Sequence, residues 1–155
     1  MSEVAFRPYG PTATLALAAL AVVQASVGLA AEPPQSPEGA EYRSTRDGVY
    51  SSREAGRGRA LYERVCSYCH DMSEFGPEYM AGWEGQPIGA LYDFIRATMP
   101  EDNPGDLSRQ QYADVVAYML RINGAPTGEQ GLGNDAAQLD QVLIEGPFEE
   151  FDDPR

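Results

Sequence analysis

The only two cysteines and the only histidine of this chain lie within one short stretch, CSYCH, from Cys66 to His70. Thiolate and imidazole groups are the side chains that most often bind transition metals and cofactors, and here they are concentrated at one point. Any fold of this chain therefore has to place the stretch where the three side chains can act together.

Four kinds of site compete for Cys66, Cys69 and His70. A zinc site needs a fourth protein ligand, and the chain has no other cysteine or histidine. A dithiol exchange site is expected beside a βαβ unit, whereas this region has a helical pattern. A structural disulfide is the simplest alternative, but it leaves the histidine unexplained. Covalent haem c uses all three residues, because both thiols can add to one porphyrin edge and the next residue then places its imidazole beneath the iron.

The segments before and after this stretch are predicted to be helical. Ser51 and Glu54 have the spacing of a capping box, and apolar residues then recur at helical spacing up to the cysteine motif. The same spacing returns from Ile88 and predicts a second helix. This helix should end near Thr98, because Pro100 disfavours helical geometry at the residue before it.

A third helix has start and stop signals at both ends. Ser108 and Gln111 form a capping box, and Asn123 with Gly124 ends the pattern. Its apolar stripe consists of Tyr112, Val115, Val116, Met119 and Leu120. Because no strand pattern appears between residues 53 and 124, the predicted fold is all-α, with three main helices packed around one covalently bound haem.

The regions outside this core predict an exported protein with two loose flanks. Residues 1 to 30 combine a polar start, one arginine, an apolar run and small residues before a proline-rich acidic stretch, as in a cleaved signal peptide. The apolar run is shorter than the roughly 20 residues of a membrane-spanning helix, so an uncleaved anchor is the less favoured alternative. The predicted organisation is 1–30 signal peptide, 31–50 flexible acidic arm, 51–127 folded domain and 128–155 acidic tail, with a periplasmic location.

The net negative charge of the chain indicates which kinds of partner it can bind. It has 24 acidic residues against 11 basic ones, and every basic residue is an arginine. Nucleic acid is therefore not expected as a partner, because its phosphates would be repelled. A basic face on another protein is a better match. Eight of the acidic residues lie in 128–155 beside one arginine, which predicts a solvated tail or a docking strip.

A second ligand to a haem iron would have to be a methionine, because His70 is the only histidine and the chain has no lysine. The candidates beyond the initiator are Met72, Met80, Met99 and Met119. Met99 is favoured because it follows Ile95 at i+4 and the next residue breaks the helix; otherwise it only extends the apolar stripe. Met80 is the reserve ligand. Histidine and methionine together leave no open iron position, so electron transfer is expected and turnover of a small-molecule substrate is not.

The sequence resembles the class I cytochromes c from about residue 48 to residue 128. The similarity lies in GRALYERVCSYCH, in TMP around Met99 and in YADVVAYMLRINGAP, with Gly58 and Tyr62 where the first and last helices of that family cross. The stretches GVYSSREAGRGRALY, LYDFIRATMP and NPGDLS resemble periplasmic cytochromes associated with pyrroloquinoline-quinone (PQQ)-dependent alcohol dehydrogenases. That resemblance implies redox partners, namely a quinoprotein dehydrogenase as donor and an oxidase or another cytochrome as acceptor.

The resemblance also implies two roles beyond the ligands. In the family a proline carbonyl accepts the N–H of the proximal imidazole, and Pro77 is the candidate here, although Asp71 replaces the usual glycine after the histidine. Trp83 resembles a tryptophan whose indole reaches a haem propionate, and it could equally fill the core beneath the haem. The expected function is one-electron transfer. The alternatives are a haem enzyme or gas or peroxide sensor with Met99 detached, and a subunit of a larger complex.

Overall fold

The computed structural model describes residues 41–149. The predicted signal peptide, most of the predicted arm and residues 150–155 lie outside the described residues. The elements in chain order are β1 (Arg43–Ser44), α1 (Ser52–Leu61), α2 (Pro77–Ala81), α3 (Ile88–Thr98), α4 (Arg109–Ile122), α5 (Ala136–Leu139) and β2 (Val142–Leu143). The all-α prediction is confirmed, since the structure is mostly helical with two very short strands.

Helices α1 and α4 begin where their caps predict. The Ser51 and Ser108 side chains each accept a hydrogen bond from the N3 backbone N–H, and the N3 side chain accepts one from the backbone N–H of the cap. A π-helical turn, Tyr62–Cys66, continues α1 into the cysteine motif. Gly124 follows α4 with φ of 77°, in the left-handed region that favours glycine. The helix that was predicted to run into the motif is therefore confirmed.

Helix α3 also has its predicted bounds. Its last residue is Thr98, and Met99 has an extended backbone with φ of −125° and ψ of 150°. The proline that follows accounts for this stop, because it excludes helical geometry at the residue before it. The chain therefore turns away at Met99 and returns to α4 through residues 100–108.

Helices α1 and α4 cross in close contact at Gly58. A Cβ atom on this residue would overlap the carbonyl group of Asp114, so only glycine allows the two backbones to come this near. One turn further along, the rings of Tyr62 and Tyr118 lie 6.0 Å apart. The crossing implied by the resemblance is therefore present in the structure.

The flanks differ from the predicted flexible arm and solvated tail. Strand β1 pairs in parallel with β2, and the Thr45 hydroxyl exchanges two 2.9 Å hydrogen bonds with the backbone of Glu145. The fully or almost fully buried apolar residues among the described parts of these flanks are Val49, Tyr50, Leu132, Leu139, Val142 and Ile144. The folded domain is thus wider than 51–127. Sequence patterns missed this because the apolar residues are spaced irregularly and become buried only by long-range contact.

No helix within residues 41–149 is both long enough and apolar enough to cross a membrane.

Candidate haem site

A cavity of about 890 Å³ lies between the cysteine motif, the end of α3 and one face of α4. Its walls are mainly apolar and aromatic, and include Val65, Phe75, Ile95, Leu107 and Val115. The volume falls in the range of roughly 300–1,000 Å³ that is usual for small-molecule and cofactor sites. The cavity is therefore large and apolar enough for a flat hydrophobic cofactor.

Both cysteines and the histidine of the motif line this cavity. The turn is closed by two backbone bonds to the Cys66 carbonyl, from the Cys69 N–H at 3.1 Å and from the His70 N–H at 3.0 Å. Both thiols are free; Cys66 is half-buried, and this burial raises the pKa of its thiol. The π-helical turn and the backbone turn that follows it thus bring two thiols and one imidazole to the same cavity.

The backbone and ring of His70 are each held by a neighbouring side chain. The Tyr62 hydroxyl donates to the His70 carbonyl at 2.6 Å, and burial raises the pKa of that tyrosine to about 12. The ring Nδ1 lies 3.1 Å from Oε2 of Glu74. A hydrogen bond from the imidazole lowers the pKa of this carboxyl group. Such a contact fixes the ring orientation and leaves Nε2 for another partner.

The structure does not give Pro77 the predicted contact with the imidazole. Pro77 is the first residue of α2 and is not among the residues that line the cavity. The segment after His70 is short. Its 3₁₀ turn, Met72–Phe75, places the Glu74 carboxylate, and not a Pro77 carbonyl, beside Nδ1 of His70. Glu74 was missed, although Asp71 and Glu74 have capping-box spacing, which the structure confirms.

Met99 lines the same cavity from the end of α3. Its N–H donates to the Ile95 carbonyl at 2.8 Å, and its carbonyl accepts from the Tyr112 hydroxyl at 2.7 Å. Met80, the reserve ligand, is completely buried and is not among the lining residues. Met119 does line the cavity, but from within the packed stripe of α4. The structure therefore brings Met99 together with the cysteine motif and leaves Met80 outside.

Residues 53–119 match the family model described as cytochrome c oxidase, cbb3-type, subunit III. The match begins in α1, ends in α4 and contains both cysteines, His70 and Met99. This match supports a class I cytochrome c type of domain in residues 53–119. Comparison with curated proteins and with solved structures found no match to the chain.

The donor set of this site fits haem c. Two thiols two residues apart, the adjacent imidazole and one thioether all face a single apolar cavity. Among residues 41–149, no three histidine, cysteine or acidic side chains are grouped so that they could hold a metal ion by themselves. The family match supports a haem-containing electron carrier, and the cavity has room for such a group.

Trp83 lies one layer behind the cavity. Its ring contacts Phe94 at 5.6 Å and Tyr79 at 6.5 Å between centroids, and these two side chains line the cavity while Trp83 does not. It is half-buried and packs against the main core. This position agrees with the interpretation of Trp83 as an aromatic that fills the core.

The rim of the cavity is aromatic and acidic. Tyr68 and Phe94 are 85% and 50% exposed, and they are the exposed large hydrophobic residues among those described. Both line the cavity together with the exposed Glu101 and Asp102, whereas no arginine does. Sequence reasoning missed this rim, because its four members come from three separate segments.

Proposed function

We propose that this protein is an exported one-electron carrier that binds one haem c covalently through Cys66 and Cys69, with His70 and Met99 as iron ligands. The observation that supports this most directly is that all four side chains line one apolar cavity, although Met99 is 29 residues beyond His70 in the sequence. A buried cofactor with protein ligands on both faces suits electron transfer rather than turnover.

When bound, haem c supplies an iron that alternates between two oxidation states. The residues of the chain hold and shield it. Tyr62 and Glu74 fix the backbone and ring of His70, so the imidazole keeps one orientation. The apolar walls exclude water, and Tyr68 and Phe94 at the rim provide a contact surface for another protein.

The ligand assignment is tested with Met99→Ala and a matched Met80→Leu control. The wild-type ferric protein should show the weak red charge-transfer band of iron–sulfur ligation and bind carbon monoxide poorly when reduced. Met99→Ala should lose the band and bind carbon monoxide, while Met80→Leu should keep both wild-type properties. If Met99→Ala behaves like wild type, the assignment is wrong. Strong carbon monoxide binding by the wild type would favour the haem enzyme or sensor alternative.

The proposed electron donor is a PQQ-dependent dehydrogenase with a basic docking face. The support is the resemblance of the sequence together with the acidic rim formed by Glu101 and Asp102. Attraction between opposite charges accelerates encounter and is screened by salt. Reduction by such a dehydrogenase should slow as salt rises and should slow in Glu101→Gln/Asp102→Asn. The control Glu41→Gln/Glu129→Gln removes two exposed charges that do not line the cavity and should leave the rate unchanged.

A second candidate is a subunit role in a larger respiratory complex. It is favoured by the name of the matching family model, which describes an oxidase subunit. Purification from native cells under mild conditions distinguishes the two. A free carrier elutes at its own mass from the periplasmic fraction, whereas a subunit copurifies with its complex. Recovery from the periplasm with a mature chain that begins near Ala31 would also support the proposed export and signal cleavage.

A further inference from the structure

We infer that Tyr112 is the positioning residue that keeps the Met99 thioether in the cavity, acting through the Met99 backbone. This inference rests on the proposed function, because it concerns the retention of one of the proposed ligands. The Tyr112 hydroxyl donates to the Met99 carbonyl at 2.7 Å, across 13 residues of sequence. It is the shortest hydrogen bond recorded to the Met99 backbone.

The backbone of Met99 is held from two sides. Its N–H completes the last turn of α3 through the 2.8 Å bond to Ile95. Its carbonyl accepts from Tyr112 and, at a longer 3.4 Å, from the N–H of Gly105. The chain beyond Met99 is largely exposed from Glu101 to Gly105. The residue therefore joins a well-held helix end to a loop with few contacts, and the tyrosine bond ties that junction to α4.

Tyr112 is itself well fixed. Its side chain is completely buried, and its ring contacts the Tyr92 ring edge-on at 6.2 Å. Its own N–H donates to Ser108, the cap of α4, at 3.1 Å. A rigid donor loses little conformational freedom when it forms a bond, so its contribution to holding Met99 should be realised almost in full.

Tyr112 also borders the cavity itself. Tyr112 lines the cavity with Met99, so the same side chain forms part of the wall and anchors the ligand loop. Removing only the oxygen should leave the wall in place and loosen the loop. A neutral hydrogen bond of this kind changes an equilibrium by between about threefold and tenfold. Any external ligand that has to displace the thioether should gain affinity by that factor.

The test is imidazole binding to the ferric holoprotein of Tyr112→Phe. We expect its affinity for imidazole to be about threefold to tenfold higher than wild type, with a weaker iron–sulfur band. Tyr50→Phe is the matched control, because the Tyr50 hydroxyl also is buried, donates to a backbone carbonyl (Ala125, 2.6 Å) and lies outside the cavity lining. This control should lose stability yet keep wild-type imidazole affinity.

Each remaining outcome is decisive. If wild type shows the iron–sulfur band, Met99→Ala abolishes it, and Tyr112→Phe matches Tyr50→Phe in imidazole affinity, the inference is overturned while the ligand assignment stands. If wild type has no such band, the assignment fails and the inference fails with it. Should Tyr112→Phe not mature, 4-fluorophenylalanine at position 112 fills the space of the hydroxyl without the donor. 4-Aminophenylalanine, which keeps an N–H donor, should restore wild-type affinity.

Discussion

The two sides of this domain are stabilised in different ways. Where α1 crosses α4, the two helices are in direct contact, and Gly58 lies against the backbone of Asp114. Arg57 donates two hydrogen bonds of 2.6 and 2.7 Å to the side chain of the same aspartate. The side chain of Asp114 is only 5% exposed. The other side is a cavity of about 890 Å³ with mainly apolar walls. We therefore expect the first side to fold on its own contacts and the second to depend on the proposed haem.

The described flanks contact the start of α1. The Glu54 carboxylate, which caps α1, also accepts the backbone N–H of Leu132 at 3.0 Å, and Gly128 donates to the Tyr50 carbonyl at 2.7 Å. These contacts tie residues before and after the helical core to the start of α1. The domain thus enlarges its small core through residues that do not line the cavity.

Loss of haem should have the largest effect and should divide the molecule into its two sides. In haem-free Cys66→Ser/Cys69→Ser, amides of α3 should exchange roughly a hundredfold faster than in the holoprotein, because the cavity walls lose their bound partner. Amides at the α1–α4 crossing should be affected much less. Hydrogen exchange measured by mass spectrometry provides the comparison. Equal loss of protection on both sides would contradict the division.

A side chain added at the α1–α4 crossing should destabilise the protein nearly as much as the loss of haem. Gly58→Ala places a methyl group on the Asp114 carbonyl and should lower the free energy of unfolding by at least about 3 kcal/mol. Gly56→Ala is the control, since a Cβ there has no neighbour within 4 Å, and it should gain about 0.5–1 kcal/mol. Denaturant unfolding of both holoproteins measures the difference; similar values for the two variants would refute the close crossing.

The packed flank is tested by Leu139→Ala. This side chain is completely buried in the main core, so truncation should cost about 2.5 kcal/mol, near the lower end for leucine because a short flank can relax around the gap. Gln141→Ala, at an exposed neighbouring position, should change the free energy of unfolding by less than about 0.5 kcal/mol. If Leu139→Ala is as mild as Gln141→Ala, residues 128–149 form the solvated tail that the sequence suggested.

A smaller effect with a defined pH dependence is expected at Glu54. Burial alone would raise the pKa of this carboxyl, but hydrogen bonds from Ser51, Leu132 and Gly133 outweigh it and the pKa is lowered. The stabilisation is therefore complete above the unfolded pKa of about 4.3 and is lost as the pH falls through the lower folded value. Glu54→Gln should cost about 2 kcal/mol at pH 7 and less in acid. Glu63→Gln, in an exposed pair, should show neither change.

The sequence predicts the parts of this molecule that are encoded locally. Caps at Ser51 and Ser108, and the proline that follows Met99, define helix ends through neighbouring residues, and the structure confirms them. The cysteine motif and Met99 were also predicted, because haem attachment needs fixed spacing and a helix end delivers the thioether. The buried flanks and the rim of the cavity were not predicted, because they depend on contacts between distant segments.

Tyr112 and Glu74 are two residues whose contacts were not predicted, one with a distant segment and one with a near neighbour. Tyr112 belongs to the apolar stripe of α4 and has the pattern of a core residue, but its hydroxyl finds the Met99 carbonyl only after α3 and α4 have packed. The Glu74 carboxylate, and not the predicted Pro77 carbonyl, contacts the His70 imidazole. A local 3₁₀ turn places this carboxylate at hydrogen-bond distance from Nδ1. The Tyr112 contact joins segments that are distant in the sequence, whereas the Glu74 contact is local and could have been suggested by the capping-box spacing of Asp71 and Glu74.

The most direct test of the central claim is the intact mass of the protein matured with a haem-attachment system. The account predicts a mass increased by one haem that survives denaturation, with both Cys66 and Cys69 blocked to thiol reagents. Cys66→Ser/Cys69→Ser should show no added mass. A wild-type protein with two reactive thiols, or with a disulfide between them and no haem, would contradict the account.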